Sequence, residues 1–185
     1  MKAEAFYHAF EAGLTAAPLP AAMKRVAGRG SKWKLPLADG HLALAFATNA
    51  KVAGLADHWP GEFRPTIRWT TGTGRDAPAR DVSFFQYTLP AENDAHVQLM
   101  QQAVAKFFAG TRADPGLRDL LDADALPKPN HDRWFYYYDA DDADAWGRWF
   151  GGVLPGWFAR FAAAPESRED WCWRVLWPHL PRAPQ

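Results

Sequence analysis

The sequence predicts an α+β domain: an antiparallel sheet of four to five strands in meander order, packed by an N-terminal helix and several C-terminal helices. Three observations lead there. Phe6, Phe10 and Leu14 recur at four-residue spacing near the start, the period of a helix face. From Trp33 to Phe46 large apolar residues take every second position on either side of Asp39-Gly40, the pattern of a hairpin. After Pro90 the period lengthens again, and Val97, Met100, Val104, Phe107 and Phe108 form a helical stripe ending near Gly110.

In chain order, the first helix spans residues 2–16 and is limited by Pro18 and Pro20. A basic, glycine-bearing stretch, 24–31, follows. In the hairpin, Trp33, Leu35 and Leu37 alternate with Lys32, Lys34 and Pro36, and then Leu42, Leu44 and Phe46 alternate with alanines. Phe63, Ile67 and Trp69 share one face of a third strand, in which Pro65 marks an edge or a bulge. Residues 70–79 form a Gly/Thr/Pro loop, and Val82 to Leu89 reads as a fourth strand. Strands joined by short links are expected to pair in sequence order. Beyond the second helix, 114–122 reads as a short helix and 133–138 as a fifth strand. Asp141 or Asp142 is placed to cap a helix carrying Trp146, Trp149 and Phe150. Gly151-Gly152 is expected to break or bend that helix, with Pro155 opening another that carries Trp157, Phe158 and Phe161. Ser167 and Asp170 resemble a capping box for a last helix through Trp171 and Val175, although Trp171, Trp173 and Val175 also fit a strand.

A chain of 185 residues fits one domain, 1–185, and buries enough surface to fold without a disulfide or a metal. Lysine and arginine total 21 and aspartate and glutamate total 21, a balance that argues against a protein coating nucleic acid non-specifically. The single cysteine, Cys172, excludes an intramolecular disulfide and fits a reducing compartment. The first residues carry an early acid and no apolar run, and no stretch approaches the length of a membrane span. A cytoplasmic location is expected. The sole isoleucine, Ile67, amid abundant alanine and arginine, points to a GC-rich bacterial genome.

No motif specifies a reaction, and the chain is read as leaning away from an enzyme. The run Asp139, Asp141, Asp142, Asp144 is the most metal-like cluster, but a calcium loop begun at Asp139 would have Asp144 where glycine is needed and Phe150 where glutamate is needed. Acids at a helix N-terminus, favoured by its dipole, explain the run better. The six histidines lack the paired spacing of a zinc site. Cys172 has no partner motif, and Ser31 and Ser83 lie outside any nucleophile-elbow setting. The loops Gly28-Arg29-Gly30 and Gly72-Thr73-Gly74 read as turns, since neither follows a strand to open a helix as a phosphate loop does. No cofactor and no metal are expected.

Ten tryptophans mark the chain, seven of them from Trp134 to Trp177. Pattern assigns Trp33 and Trp69 to a sheet core and most of the late cluster to helices packed across it. The residues proposed to meet a partner or ligand are Trp59, Trp134, Asp139, Asp141, Asp142, Trp146 and Trp149. Charge is also segregated: residues 12–38 hold no acid but carry Lys24, Arg25, Arg29, Lys32 and Lys34, whereas residues 113–144 hold nine aspartates. Edge protection by lysine explains the first segment most simply; steering toward a charged partner is the sharper alternative.

The order of first helix, basic loop, Trp33–Phe46 hairpin and a strand beginning Gly61-Glu62-Phe63 resembles an uncharacterised family of small bacterial α+β proteins. The resemblance covers roughly the first half of the chain and implies a fold class without an activity. Small bacterial domains of this sort include toxin-neutralising immunity proteins. The leading expectation is therefore a non-enzymatic protein-binding module, with toxin immunity as its specific form. The alternatives are a small-molecule or carbohydrate site, or an enzyme, in an aromatic-lined cleft, and nucleic-acid binding through 24–34 with Trp33 stacking on a base.

Overall fold

The computed structural model describes residues 1–49, 60–74, 76–110 and 135–163. Helix α1 (Ala3–Ala16) leads into β1 (Lys24–Arg25), β2 (Ser31–Leu37), β3 (Gly40–Thr48), β4 (Gly61–Thr71) and β5 (Ala79–Val82). A 3-10 turn, η1 (Phe84–Tyr87), helix α2 (Pro90–Gly110), strand β6 (Phe135–Tyr137) and helix α3 (Ala140–Ala163) follow. The fold is α+β, with an open antiparallel sheet in the order β1-β2-β3-β4-β5 and β6 also paired to β4. The expected meander is present, extended by β1, two residues too short to show alternation.

Sheet register follows the apolar alternation. In β2 and β3 the buried positions are Ser31, Trp33 and Leu35, and Leu42, Leu44 and Phe46. The hairpin turn lies one residue earlier than the Asp-Gly pair suggests: Leu37 pairs with Gly40, so Ala38 and Asp39 form its centre. Gly40 is required for another reason, because a Cβ there would drive into the Thr70 carbonyl of β4. Along its far edge β4 meets β6 at residues 61–63 and β5 at residues 67–70. Pro65, which has no N–H to donate, falls in the interval between them, a local edge within a central strand.

Three expectations are corrected. Val82 to Leu89 is not one strand, because β5 ends at Val82 and η1 follows. An extended backbone would turn Phe84 and Phe85 to opposite faces; the tighter turn buries Phe84, Phe85, Gln86 and Tyr87 together. The turn's carbonyls then find tertiary donors, with Trp157 Nε1–H donating to Phe84 O at 2.6 Å and Arg160 Nε–H to Tyr87 O at 2.6 Å. Neither Gly151-Gly152 nor Pro155 ends the last described helix, which is continuous from Ala140 to Ala163. An interior proline costs a helix about 3 kcal/mol or more, but Phe150, Val153, Leu154, Trp157, Phe158 and Phe161 form one buried stripe that spans it. In α2 the buried stripe runs through His96 rather than Val97.

The core lies between the sheet's inner face and the helices. Phe63 sits near its centre, against Phe6 and Phe10 of α1, Phe135 of β6, and Trp146 and Phe150 of α3. Trp33 and Trp69 are buried on the same face, as the alternation predicts. Helices α1 and α3 approach backbone to backbone. A Cβ on Gly147 would collide with the Phe10 carbonyl, one on Gly13 with the Asp144 carbonyl, and one on Gly151 with Leu14 O at 2.8 Å. Gly147 and Gly151 are four residues apart and so share the helix face turned to α1; Gly152 meets nothing within 4 Å. The expected helix at 114–122 and the last element near 167–178 lie outside the described residues.

Candidate functional site

The acidic run begins α3, and its carboxylates are committed to structure. Asp139 is the cap: its Oδ1 accepts the Asp142 N–H at 2.9 Å, and Asp142 Oδ2 accepts the Asp139 N–H at 3.4 Å in return. This is a reciprocal capping box with aspartate at both positions. The cap is thus Asp139, upstream of the expected Asp141 or Asp142. Asp142 also accepts the Tyr138 N–H at 2.8 Å. Lys106 Nζ from α2 donates to Asp142 at 2.6 Å and to Asp139 at 3.1 Å. Burial works against ionisation of Asp139, but hydrogen bonds from the Asp142 backbone and from Lys106 outweigh it and hold the carboxyl below its ordinary range. Asp144 pairs with Arg148 one turn on at 2.7 Å. Asp141 points to solvent. Among the described residues no group of three or more His, Cys, Asp or Glu could hold a metal ion.

Of the tryptophans proposed as contacts, Trp146 is fully buried and donates its Nε1–H to Tyr136 O at 2.7 Å. Trp149 is half-buried and donates to Glu92 O at 3.2 Å. Trp59 and Trp134 lie outside the described residues. The polar group that sequence pattern missed is His96. Its ring is 4% exposed and packs against Phe85, Phe135, Trp146 and Trp149, with centroids 4.7 to 5.8 Å away. Nδ1 has no hydrogen-bond partner. Burial alone pulls its pKa down to about 3, so the ring is neutral at pH 7 and lacks the charged or hydrogen-bonded neighbour that would make it a working base. Tyr137, pushed up to about 12 by burial and then by the charges of Tyr7 and Glu62, is likewise a neutral phenol.

The sheet's other face is differently built. Ring contacts from α1, α2 and α3 to the sheet go to Phe46, Phe63, Trp69, Phe135 and Tyr137, all on the inner side. The outward positions of β2 are the exposed Lys32, Lys34 and Pro36. Those of β3 are His41, Ala43, Ala45 and Ala47, and those of β4 include the exposed Arg64, Thr66 and Arg68. Register aligns them in rows: Lys24, Lys34, Ala43 and Arg68 stand side by side, next to Lys32, Ala45 and Thr66. The result is a lane of alanines on β3 flanked by lysines on one strand and arginines on the other. Lys24, Lys32, Lys34 and Arg68 take no ion pair among the described residues. Asp81 stands opposite Arg68 across β4 and β5, but no ion pair joins them. His41, at the end of the lane, is held below its ordinary range by partial burial and by the Lys34 charge.

This surface separates the two explanations of the basic segment. Edge protection accounts for Lys24 and for the lysines of β2, which has only two-residue β1 beside it. It does not account for Arg68, on a strand paired along both sides. Trp33, the expected base-stacking residue, points away from the cations and donates its Nε1–H to Ser31 Oγ at 2.9 Å on the buried face. No described helix is long and apolar enough to cross a membrane. Comparison with protein-family models, with curated protein sequences and with solved structures finds no match.

Proposed function

We propose that this chain is a non-enzymatic protein-binding module that docks an acidic surface of its partner on the open face of the sheet. The observation that carries the reading is the alanine lane of β3, flanked by exposed cations of which Lys32, Lys34 and Arg68 take no ion pair among the described residues. Exposed charge of one sign steers a complementary partner and sets the register of docking. The aromatic side chains that an aromatic-lined cleft would require are largely committed to the core: Trp146 and Trp157 are fully buried. Apart from His41 at the end of the lane, the outward positions of β2 and β3 carry no aromatic ring on which a nucleic-acid base could stack. A toxin neutralised by stoichiometric docking is the specific partner that fits the sequence-based expectation.

Affinity capture from a lysate of the source organism, with the wild-type chain and a Lys34→Glu/Arg68→Glu variant as parallel baits, tests the proposal. The expected result is a protein retained in stoichiometric amount by the wild type, lost by the variant and released by moderate salt. A partner held equally by both baits, or nucleic acid recovered in its place, refutes it.

A further inference from the structure

The lane constrains what shape of partner it can hold. Lys32 and Lys34 on β2 and Arg64 and Arg68 on β4 lie on either side of β3. Adjacent strands are about 4.8 Å apart, so the two cation rows stand about 10 Å apart. That spacing matches the diameter of an α-helix with its side chains, also about 10 Å. The floor is shallow because the residues between the rows are Ala43, Ala45 and Ala47.

Backbone chemistry points the same way. Strand β3 is paired with β2 on one side and β4 on the other over nearly its whole length. Its N–H and C=O groups are therefore committed, and an extended peptide laid over it gains no main-chain hydrogen bonds of the kind that hold an added strand at a sheet edge. A helix satisfies its own backbone and needs only side-chain complementarity. A single-stranded nucleic acid would find cations but, beyond the His41 ring at one end, no run of stacking platforms, since the rest of the lane is lined by alanine and threonine.

We infer that the lane receives an acidic amphipathic helix of another protein, with a small-residue stripe seated on Ala43, Ala45 and Ala47 and carboxylates on both flanks facing Lys32, Lys34 and Arg68. This inference rests on the protein-docking reading above and adds the shape of the partner. It also states the partner's sequence signature: alanine or serine at helical spacing, with glutamate or aspartate on either side.

The test is an amide chemical-shift titration of the full chain with three probes. The first is a lactam-bridged peptide of about four helical turns, with an alanine stripe and glutamates on both flanks. The second is the same peptide without the bridge and with interior prolines, so that it stays extended. The third is oligothymidylate of comparable charge. The bridged helix is expected to shift the amides of 41–47, Lys34 and Arg68, and to bind at least about tenfold more weakly to the Lys34→Glu/Arg68→Glu variant. Ala45→Leu, which obstructs the lane without changing charge, should also weaken it. If the extended peptide binds the lane as tightly as the bridged one, the helix inference falls while the docking face stands. If neither peptide perturbs the lane, or oligothymidylate binds more tightly than both, the inference and the protein-docking reading fall together.

Discussion

Buried and neutral, His96 makes stability depend on pH in a way that can be worked out in advance. In the unfolded chain a histidine titrates at 6.5, whereas in the fold it stays neutral down to about 3. Between those values the unfolded state binds the extra proton, so lowering the pH favours unfolding, and the stability held above pH 6.5 is lost as pH falls. Each pH unit within the window costs about 1.4 kcal/mol, so the loss is about 2 kcal/mol by about pH 5 and about 4 kcal/mol by about pH 3. A domain of this size has about 5–15 kcal/mol to lose. Urea unfolding at a series of pH values, for the wild type and for His96→Leu, measures the effect. Only the difference between the two slopes is diagnostic, since the partly buried His41 contributes to both. Below about pH 4 the low-lying carboxyl of Asp139 adds its own loss in the same direction, because the unfolded Asp139 takes up a proton first. Across the window from 6.5 to about 5 the difference between the two slopes therefore reports His96 without Asp139. Parallel pH slopes in wild type and His96→Leu across that window, or an imidazole 15N shift showing His96 protonated at about pH 6, would refute the reasoning.

The α1–α3 seam predicts opposite signs for two neighbouring glycines. Gly147→Ala should destabilise by about 1–3 kcal/mol through overpacking against the Phe10 backbone, whereas Gly152→Ala, with nothing near it, should stabilise by about 0.5–1 kcal/mol through helix propensity; urea midpoints read both. At the head of α3, Asp142→Ala should cost about 1–2 kcal/mol, because it removes a cap acceptor and strands the Tyr138 N–H. Asp141→Ala, at the preceding residue of the same acidic run but exposed, should stay within about 0.5 kcal/mol in the same measurement. The indole of Trp149, half-buried, should be quenched by acrylamide, and Trp149→Phe should remove part of that quenching while Trp146→Phe does not.

Local pattern carried the sheet further than the helices. Trp33 to Phe46 is legible because alternation and turn chemistry agree, and register then follows from which residues are large. The stripe of α2 was visible but led to Val97, because hydrophobicity ranks valine above histidine; the aromatic pocket that shelters His96 is assembled from η1, β6 and α3 and is absent from its own helix. Continuity through Pro155 is likewise set by the buried stripe on both sides of it. The 3-10 turn at Phe84 depends on donors from Trp157 and Arg160, more than 70 residues away. In the acidic run several aspartates could cap equally well by spacing, and Lys106 and the Tyr138 N–H decide among them. The open face was only half legible. Alternation puts Lys32 and Lys34 on one side of β2, but nothing in the chain says that Arg68 lies beside them until β3 is interposed in register.

The glycine seam between the first and last described helices has a consequence for synthesis. Helix α1 is made well over a hundred residues before the partner whose backbone it touches, through Gly147 and Gly151. Until α3 has emerged, Phe46, Phe63 and Phe135 lack the cover of Trp146 and Phe150, and the nascent sheet presents an aromatic face to its surroundings. Such a chain cannot complete its core domain-half by domain-half as it leaves the ribosome; it completes it all at once, after most of its length is out. A product truncated before α3, with its aromatic sheet face uncovered, is expected to aggregate where the full chain does not.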